Sequence, residues 1–261
     1  MKNSFLTIIL LLFLTAFASP SYSGDLKIGA TAVPHAEILE FIQPDLKSQG
    51  VNLDIVVFND YIQPHYAVAE GSLKANFFAT KPYVEFFAKE HNIDLVSIAD
   101  VHIEPMSLYS LKFKKIEDIK EGSTIALPND PTGAGRALLM LDKNNVISLK
   151  DNKNLTSSIL DIVKNEKNFK FTELEAAILP RSLNDVDAAV INTNFALQAN
   201  LNPVDDGLII EDKTSPFVNV IVSTSKNIND EDLKKLISTI QTDKVRQFIK
   251  DKYHGAVVPA F

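Results

Sequence analysis

Short runs rich in valine and isoleucine alternate with amphipathic stretches from residue 26 to the end of the chain. The runs at 26–32, 53–58, 94–101, 123–127, 169–174, 187–192 and 218–224 lack clean in-out alternation, which predicts strands buried on both faces. Between them, apolar positions recur at helical spacing and predict helices at 35–48, 61–71, 82–91, 132–143, 156–165, 194–200 and 230–252. The last helix opens on Asp230, Glu231 and Asp232, acids that suit the positive start of a helix. This alternation predicts an α/β protein whose sheets are mostly parallel and flanked by helices. Seven strands fit either one doubly wound sheet or two smaller lobes. No Pro/Gly/Ser-rich tether divides the chain, so two lobes would be joined by crossing strands. The Lys/Asn-rich stretch 142–154 reads as a solvated surface turn.

The first residues change the picture of where the protein works. Lys2 precedes an almost continuously apolar run at 5–14, and Ser21 and Ser23 supply small residues before Gly24. This is the pattern of a cleavable signal peptide covering 1–23, with an apolar core too short to span a bilayer. The chain carries a formal net charge of −7 and no basic run, which argues against nucleic acid and against anionic lipid surfaces. It has no cysteine. Thiol nucleophiles, zinc–thiolate sites and a lipid-bearing cysteine are thereby excluded. The expectation is a monomeric protein of the periplasm, exported and not lipidated.

Candidate chemistry concentrates at LPNDPTGAGRALLML (127–141). Asp130 is placed to cap a helix, with Pro131 at its first position, where a missing N–H costs nothing. Gly133 and Gly135 allow close approach to the backbone. The free N–H groups of such a helix start, with Arg136 beside them, would suit an anion. A phosphate loop needs a Lys-Ser/Thr pair after its glycines, and none follows. Two readings of Arg136 stay open: it grips a carboxylate ligand, or it pairs with an internal acid.

Aromatic residues crowd FNDYIQPHY (58–66) and ANFFATKPYVEFF (75–87). Tyr83 directly follows Lys81-Pro82 at a predicted helix start, and Tyr61 follows Asn59-Asp60 in an equivalent place, facing a crevice where α/β proteins bind ligands. Such a pocket suits an uncharged, polarisable side chain such as a thioether. Asn192 ends one apolar strand and Asn219 sits within another, and each needs partners there. Either each amide satisfies loop backbone, or its carbonyl accepts from a ligand ammonium.

Enzyme motifs are missing. There is no GxSxG elbow, and His102-Ile103-Glu104 lacks the cysteine pair a zinc deaminase requires. His35 with Glu37, and His65 with Glu70, are not zinc-spaced sets. The five histidines read as surface or capping residues, with no metal, no cofactor and no catalysis expected.

Taken together, NDY (59–61), KPY (81–83), LPNDPTGAGR (127–136), ELEAAILPRSL (173–183), AVINTNFA (189–196), EDKTSPFVNVIV (211–222) and the terminal GAVVPAF resemble the NlpA lipoprotein family over residues 27–261. That resemblance implies the two-lobed periplasmic binding protein fold of type II. It implies one lobe from 24–109 with 223–261 and another from 110–222. It also implies a binder of methionine that delivers its cargo to an ABC permease with a cytoplasmic ATPase. The family's carboxylate-binding arginine falls on Arg136 and its ammonium-contacting asparagines on Asn192 and Asn219. Its side-chain contacts fall on Tyr61, Phe78 and Tyr83. The chain departs from the family at Ala79 and Thr80, where Gln-His is frequent, so Thr80 replaces an imidazole in the expected pocket wall. Another apolar amino acid or a methionyl peptide is the alternative ligand, and a periplasmic sensor the alternative role.

Overall fold

The computed structural model describes residues 25–212 and 214–261; the expected signal peptide lies outside the described residues. The chain begins with β1 (Leu26–Thr31), α1 (Glu37–Ser48), β2 (Leu53–Phe58), α2 (Gln63–Ala69), β3 (Ala75–Thr80), α3 (Lys81–His91) and β4 (Val96–Ile103). It continues with β5 (Ser107–Tyr109), β6 (Thr124–Pro128), α4 (Pro131–Lys143), β7 (Ser148–Leu149), β8 (Ile162–Lys164), β9 (Lys170–Leu174), α5 (Leu179–Ser182), β10 (Ala188–Ile191), α6 (Thr193–Gln198) and β11 (Ile209–Ile210). It closes with β12 (Val218–Ser223), α7 (Glu231–Ile240), α8 (Asp243–Tyr253) and β13 (Val258–Pro259).

Two sheets make two lobes. One has the order β13-β4-β12-β3-β1-β2 and the other β11-β5-β10-β6-β9. Both are mixed. Parallel pairing holds β1 to β2 and β3, and β6 to β9 and β10. The strands nearest the crossings, β4, β5, β11, β12 and β13, pair antiparallel, so the parallel share is smaller than the strand–helix alternation suggested. The chain passes between the sheets at 104–106 and returns at 211–217. β5 bonds to the second sheet and β12 to the first, so sheet membership changes a few residues before the expected boundaries at 109/110 and 222/223. Register, which the sequence does not display, decides this.

Each sheet is covered on both faces. In the first lobe, Ile38, Leu39, Ile42 and Leu46 of α1 recur at helical spacing. They share a core with Leu233, Leu236 and Ile240 of α7 and Val245 and Ile249 of α8. Val68 of α2 with Val84 and Phe87 of α3 fill the other face. In the second lobe, Ala137, Leu138 and Leu141 of α4 pack on one side, and Leu179, Phe195 and Ala196 of α5 and α6 on the other.

Three elements differ from expectation. ANFFAT, where no strand is predicted, is the central strand β3, with Phe77 fully buried. The helix expected at 156–165 is a single turn capped by Ser158 and Asp161, followed by β8. A helix there would need a buried stripe, and Leu160 and Val163 are exposed instead. The helix expected at 230–252 breaks at Gln241, and Thr242 caps a second helix through its side chain.

Candidate functional site

The floor of the site is β12. Its register sets Asn219 opposite Thr80 on β3 and opposite His102 on β4. One wall is the junction of β6 and α4. Asp130 Oδ1 accepts from the Gly133 N–H (2.7 Å) and the Thr132 hydroxyl (2.9 Å), and Pro131 opens the helix. Burial raises the Asp130 pKa, against these hydrogen bonds, which lower it. The group that approaches Gly135 is the protein's own backbone: a Cβ there would lie 2.3 Å from the Leu155 carbonyl oxygen.

Arg136 is buried, 5% exposed. Its Nε donates to both Glu211 oxygens (3.0 and 3.1 Å), and its Nη2 donates to Glu211 Oε2 and to the Glu104 carbonyl (2.6 Å). The Phe217 ring stacks on the guanidinium at 4.7 Å. Glu211 also accepts from the Met106 N–H (3.1 Å) and the Ser215 hydroxyl (2.8 Å). Arg136 thus has an internal acid, and its bonds reach both crossings between the lobes. Nη1 has no protein acceptor among the described residues.

A cavity of about 40 Å³ lies beside this pair, between the lobes. Tyr61, Phe78, Thr80, Tyr83, Arg136, Asn192 and Asn219 all line it. The lining thus gathers residues from two strands (β3 and β12), three helices (α3, α4 and α6) and the loops around them, far apart in sequence. Tyr61 stacks on Phe78 (centroids 5.6 Å) and reaches Phe195 of the second lobe at 5.1 Å. Its hydroxyl donates to Asn194 Oδ1 (2.6 Å) across the cleft. Burial holds the Tyr61 phenol well above its ordinary pKa, so it remains a donor. The Tyr83 hydroxyl donates to the Tyr61 carbonyl (3.2 Å), fixing the Tyr61 loop rather than facing a guest with its oxygen.

The amides split. Asn219 Oδ1 lies 3.3 Å from His35 Nε2. Asn192 caps α6 without a side-chain bond, and its Oδ1 is buried with no partner. Asn194 Nδ2 is also buried with no partner. Buried amide atoms rarely stay unpaired in a native protein, and both of these belong to residues that line the cavity.

Three histidines expected at the surface are buried: His35, His65 and His102. His35 and His102 converge on Glu104 Oε1 through their Nε2 atoms, at 3.1 and 2.8 Å. Burial lowers the His35 pKa to about 4, helped by His102 and opposed by Glu104, and lowers that of His102 to about 3. Burial raises the Glu104 carboxyl, while His35, Arg136 and the Asn194 N–H pull it back. Glu104 lines the cavity.

Sequence reasoning missed Glu104, Asn194, Glu211 and Phe217 as parts of the site. His102-x-Glu104 was visible but was weighed only as a deaminase signature. Asn194 stands two residues from Asn192 in the same motif, and that spacing was the signal available. Glu211 and Phe217 lie on a crossing whose position depends on register.

The NlpA lipoprotein family profile matches residues 26–261. The chain belongs to the NlpA lipoprotein family. Among NlpA relatives, the D-methionine-binding lipoprotein MetQ of Salmonella typhi is 41% identical over 236 residues, covering 89% of this chain and 87% of that protein. The protein of the same name from Escherichia coli K12 is 39% identical over 236 residues, with the same coverage. A nutrient binding protein from Burkholderia cenocepacia, solved bound to methionine, superposes with a TM-score of 0.88 at 41% identity, over 90% of this chain and all of that one. The MetQ relatives are named lipoproteins, whereas this NlpA chain has no cysteine. Among the described residues no helix is long and apolar enough to cross a membrane.

Proposed function

We propose that this chain is a periplasmic substrate-binding protein that captures methionine and delivers it, as a monomer, to an ABC permease driven by a cytoplasmic ATPase. It performs no chemistry on its cargo. The observation that carries this reading is the inter-lobe cavity in which Asn192 Oδ1 and Asn194 Nδ2 remain unpaired beside Arg136. An unpaired acceptor, an unpaired donor and a guanidinium match the ammonium and carboxylate of one free amino acid. Phe78 and the rings of Tyr61 and Tyr83 offer apolar, polarisable surface to a thioether. The methionine-bound relative and the names of the MetQ relatives support the same cargo.

The lobes would open and close about 104–106 and 211–217, with 25–103 and 218–261 in one and 107–210 in the other. Closure excludes water and strengthens each polar contact. Export through a signal peptide, without a lipid anchor, would leave the protein free to diffuse between membranes.

Calorimetry with L- and D-methionine, paired with mass spectrometry of small molecules released on denaturation, tests the reading. Methionine is expected to bind stoichiometrically and to be recovered intact. Arg136→Ala is expected to weaken binding by about 2–5 kcal/mol, because a desolvated carboxylate loses its partner. Absence of methionine binding by the wild-type protein would overturn the assignment.

A further inference from the structure

We infer that the Glu104 carboxylate is the ligand's charge partner, and that the cavity selects for a primary ammonium ahead of a carboxylate. The argument begins with the neighbours of Glu104. The Thr31 hydroxyl lies 2.7 Å from His35 Nδ1. With that nitrogen as acceptor, the His35 proton sits on Nε2, which faces Glu104 Oε1 at 3.1 Å. His102 Nε2 reaches the same oxygen at 2.8 Å. His35 Nε2–H therefore donates to one carboxylate oxygen, and His102 Nε2 lies within hydrogen-bond reach of the same atom, so two imidazoles fix its position.

The fixed charges around the cavity do not balance. Arg136 is its one lining cation among the described residues, and that charge is already met by Glu211. Glu104 and Asp130 also line the space. Asp130 uses Oδ1 to cap α4. Among the described residues Glu104 makes no ion pair with a lysine or arginine, and Arg136 acts on it only from farther off; its ion-pair partners are His35 and His102, both held neutral by burial. A buried carboxylate with no paired cation is costly, and a guest bearing a positive charge removes that cost. A carboxylate guest would find Arg136 shared with Glu211. The ammonium is thus the group that the site is short of, and Glu104 is the specificity-determining residue beside the two asparagines.

This inference takes its probes from the methionine reading, but the probes separate the two. Calorimetry on the full mature chain would compare 3-(methylthio)propylamine, which keeps the amine and lacks the carboxylate, with 4-(methylthio)butanoic acid, which keeps the carboxylate and lacks the amine. The amine is expected to bind at least about tenfold more tightly than the acid. Glu104→Gln, which preserves shape, is expected to abolish that preference while leaving the melting temperature of the unliganded protein unchanged or higher. Equal affinities in the wild-type protein, or tighter binding of the acid, would overturn the inference whatever the fate of Glu104→Gln, and would leave methionine binding intact as a separate result. Amine binding with no methionine binding would sustain the inference and remove the proposed cargo. His35, His102 and Glu104 also have the donor set of a divalent metal site. Wild-type protein dialysed against Zn²⁺ that retains one equivalent, lost in Glu104→Gln, would overturn the ammonium assignment in favour of a metal.

Discussion

Arg136 and Glu211, 75 residues apart in sequence, form a buried ion pair that ties α4 to the returning crossing between the lobes. The pair is walled by Phe217 and extended by the Glu104 carbonyl and the Met106 N–H on the outgoing crossing. One arginine therefore holds both connections between the lobes while lining the cavity between them.

Removing the acid should expose this double role. Glu211→Gln leaves a buried guanidinium without its counter-charge, a change that costs about 3–5 kcal/mol in comparable pairs. Urea unfolding should show a loss of that order. The rise in melting temperature on adding methionine should be larger than in the wild type, because the ligand carboxylate then supplies the missing charge. Unchanged stability would mean that the pair is not formed in solution.

The Tyr61 hydroxyl bonds from one lobe to the other, as a latch on the proposed closed form would. Tyr61→Phe removes its bond to Asn194 Oδ1 and leaves that oxygen buried and unpaired, at about 1–3 kcal/mol for the closed form. Folding stability should change little, since the bond bridges lobes and does not build either core. Ligand dissociation followed by stopped flow should accelerate by roughly tenfold or more. An unaltered dissociation rate would show that the latch is not made when ligand is bound.

Gly135 faces backbone. In Gly135→Ala the new methyl would stand 2.3 Å from the Leu155 carbonyl and 2.9 Å from the Ser157 nitrogen. Main chain cannot rotate away as a side-chain tip does, so the helix and the 155–157 segment must separate. A destabilisation of about 1–3 kcal/mol by chemical denaturation is expected. A neutral substitution would mean that the two segments pack less closely.

Acid should weaken the fold above pH 4. Burial holds His35 at about 4 and His65 and His102 at about 3, while the unfolded chain takes up these protons near pH 6.5. Between those values the unfolded state binds more protons, so stability falls as pH is lowered from 6.5 and levels off below the folded-state values. Each imidazole contributes up to about 1.4 kcal/mol per pH unit in that window. Glu104 and Asp130, whose carboxyls burial raises, act in the opposite direction as they take up protons in the folded state. A calorimetric melting temperature that stays flat from pH 6.5 to 4 would show that these rings are solvated or already charged.

Much of the local structure was legible because its causes are local. The Asp130 cap and Pro131 start of α4 follow from side-chain reach and the missing proline N–H, both visible in five residues. The acids opening α7 are a similar case, with Asp230 accepting from the Asp232 and Leu233 N–H groups. Where the same kind of reasoning failed at 230–252, the signal was also local: Thr242 caps α8 by accepting from the Val245 N–H, and a continuous amphipathic pattern concealed the break.

For the site, chain order offered candidates and withheld their geometry. Tyr61, Phe78, Thr80, Tyr83, Arg136, Asn192 and Asn219 stood out by residue type and by their motifs, and all of them line one cavity. The sequence alone determined which residues had unusual chemistry for their surroundings: amides in apolar strands, a cation at a helix start, no thiol anywhere. Only the tertiary structure decided how that chemistry is shared out. It gave Arg136 an acid of its own in Glu211, left Asn192 Oδ1 and Asn194 Nδ2 unpaired, and buried two neutral imidazoles against Glu104. The reason is physical: a charge or a polar atom acquires its role from whatever shares its desolvated space, and strand register across two sheets sets that company.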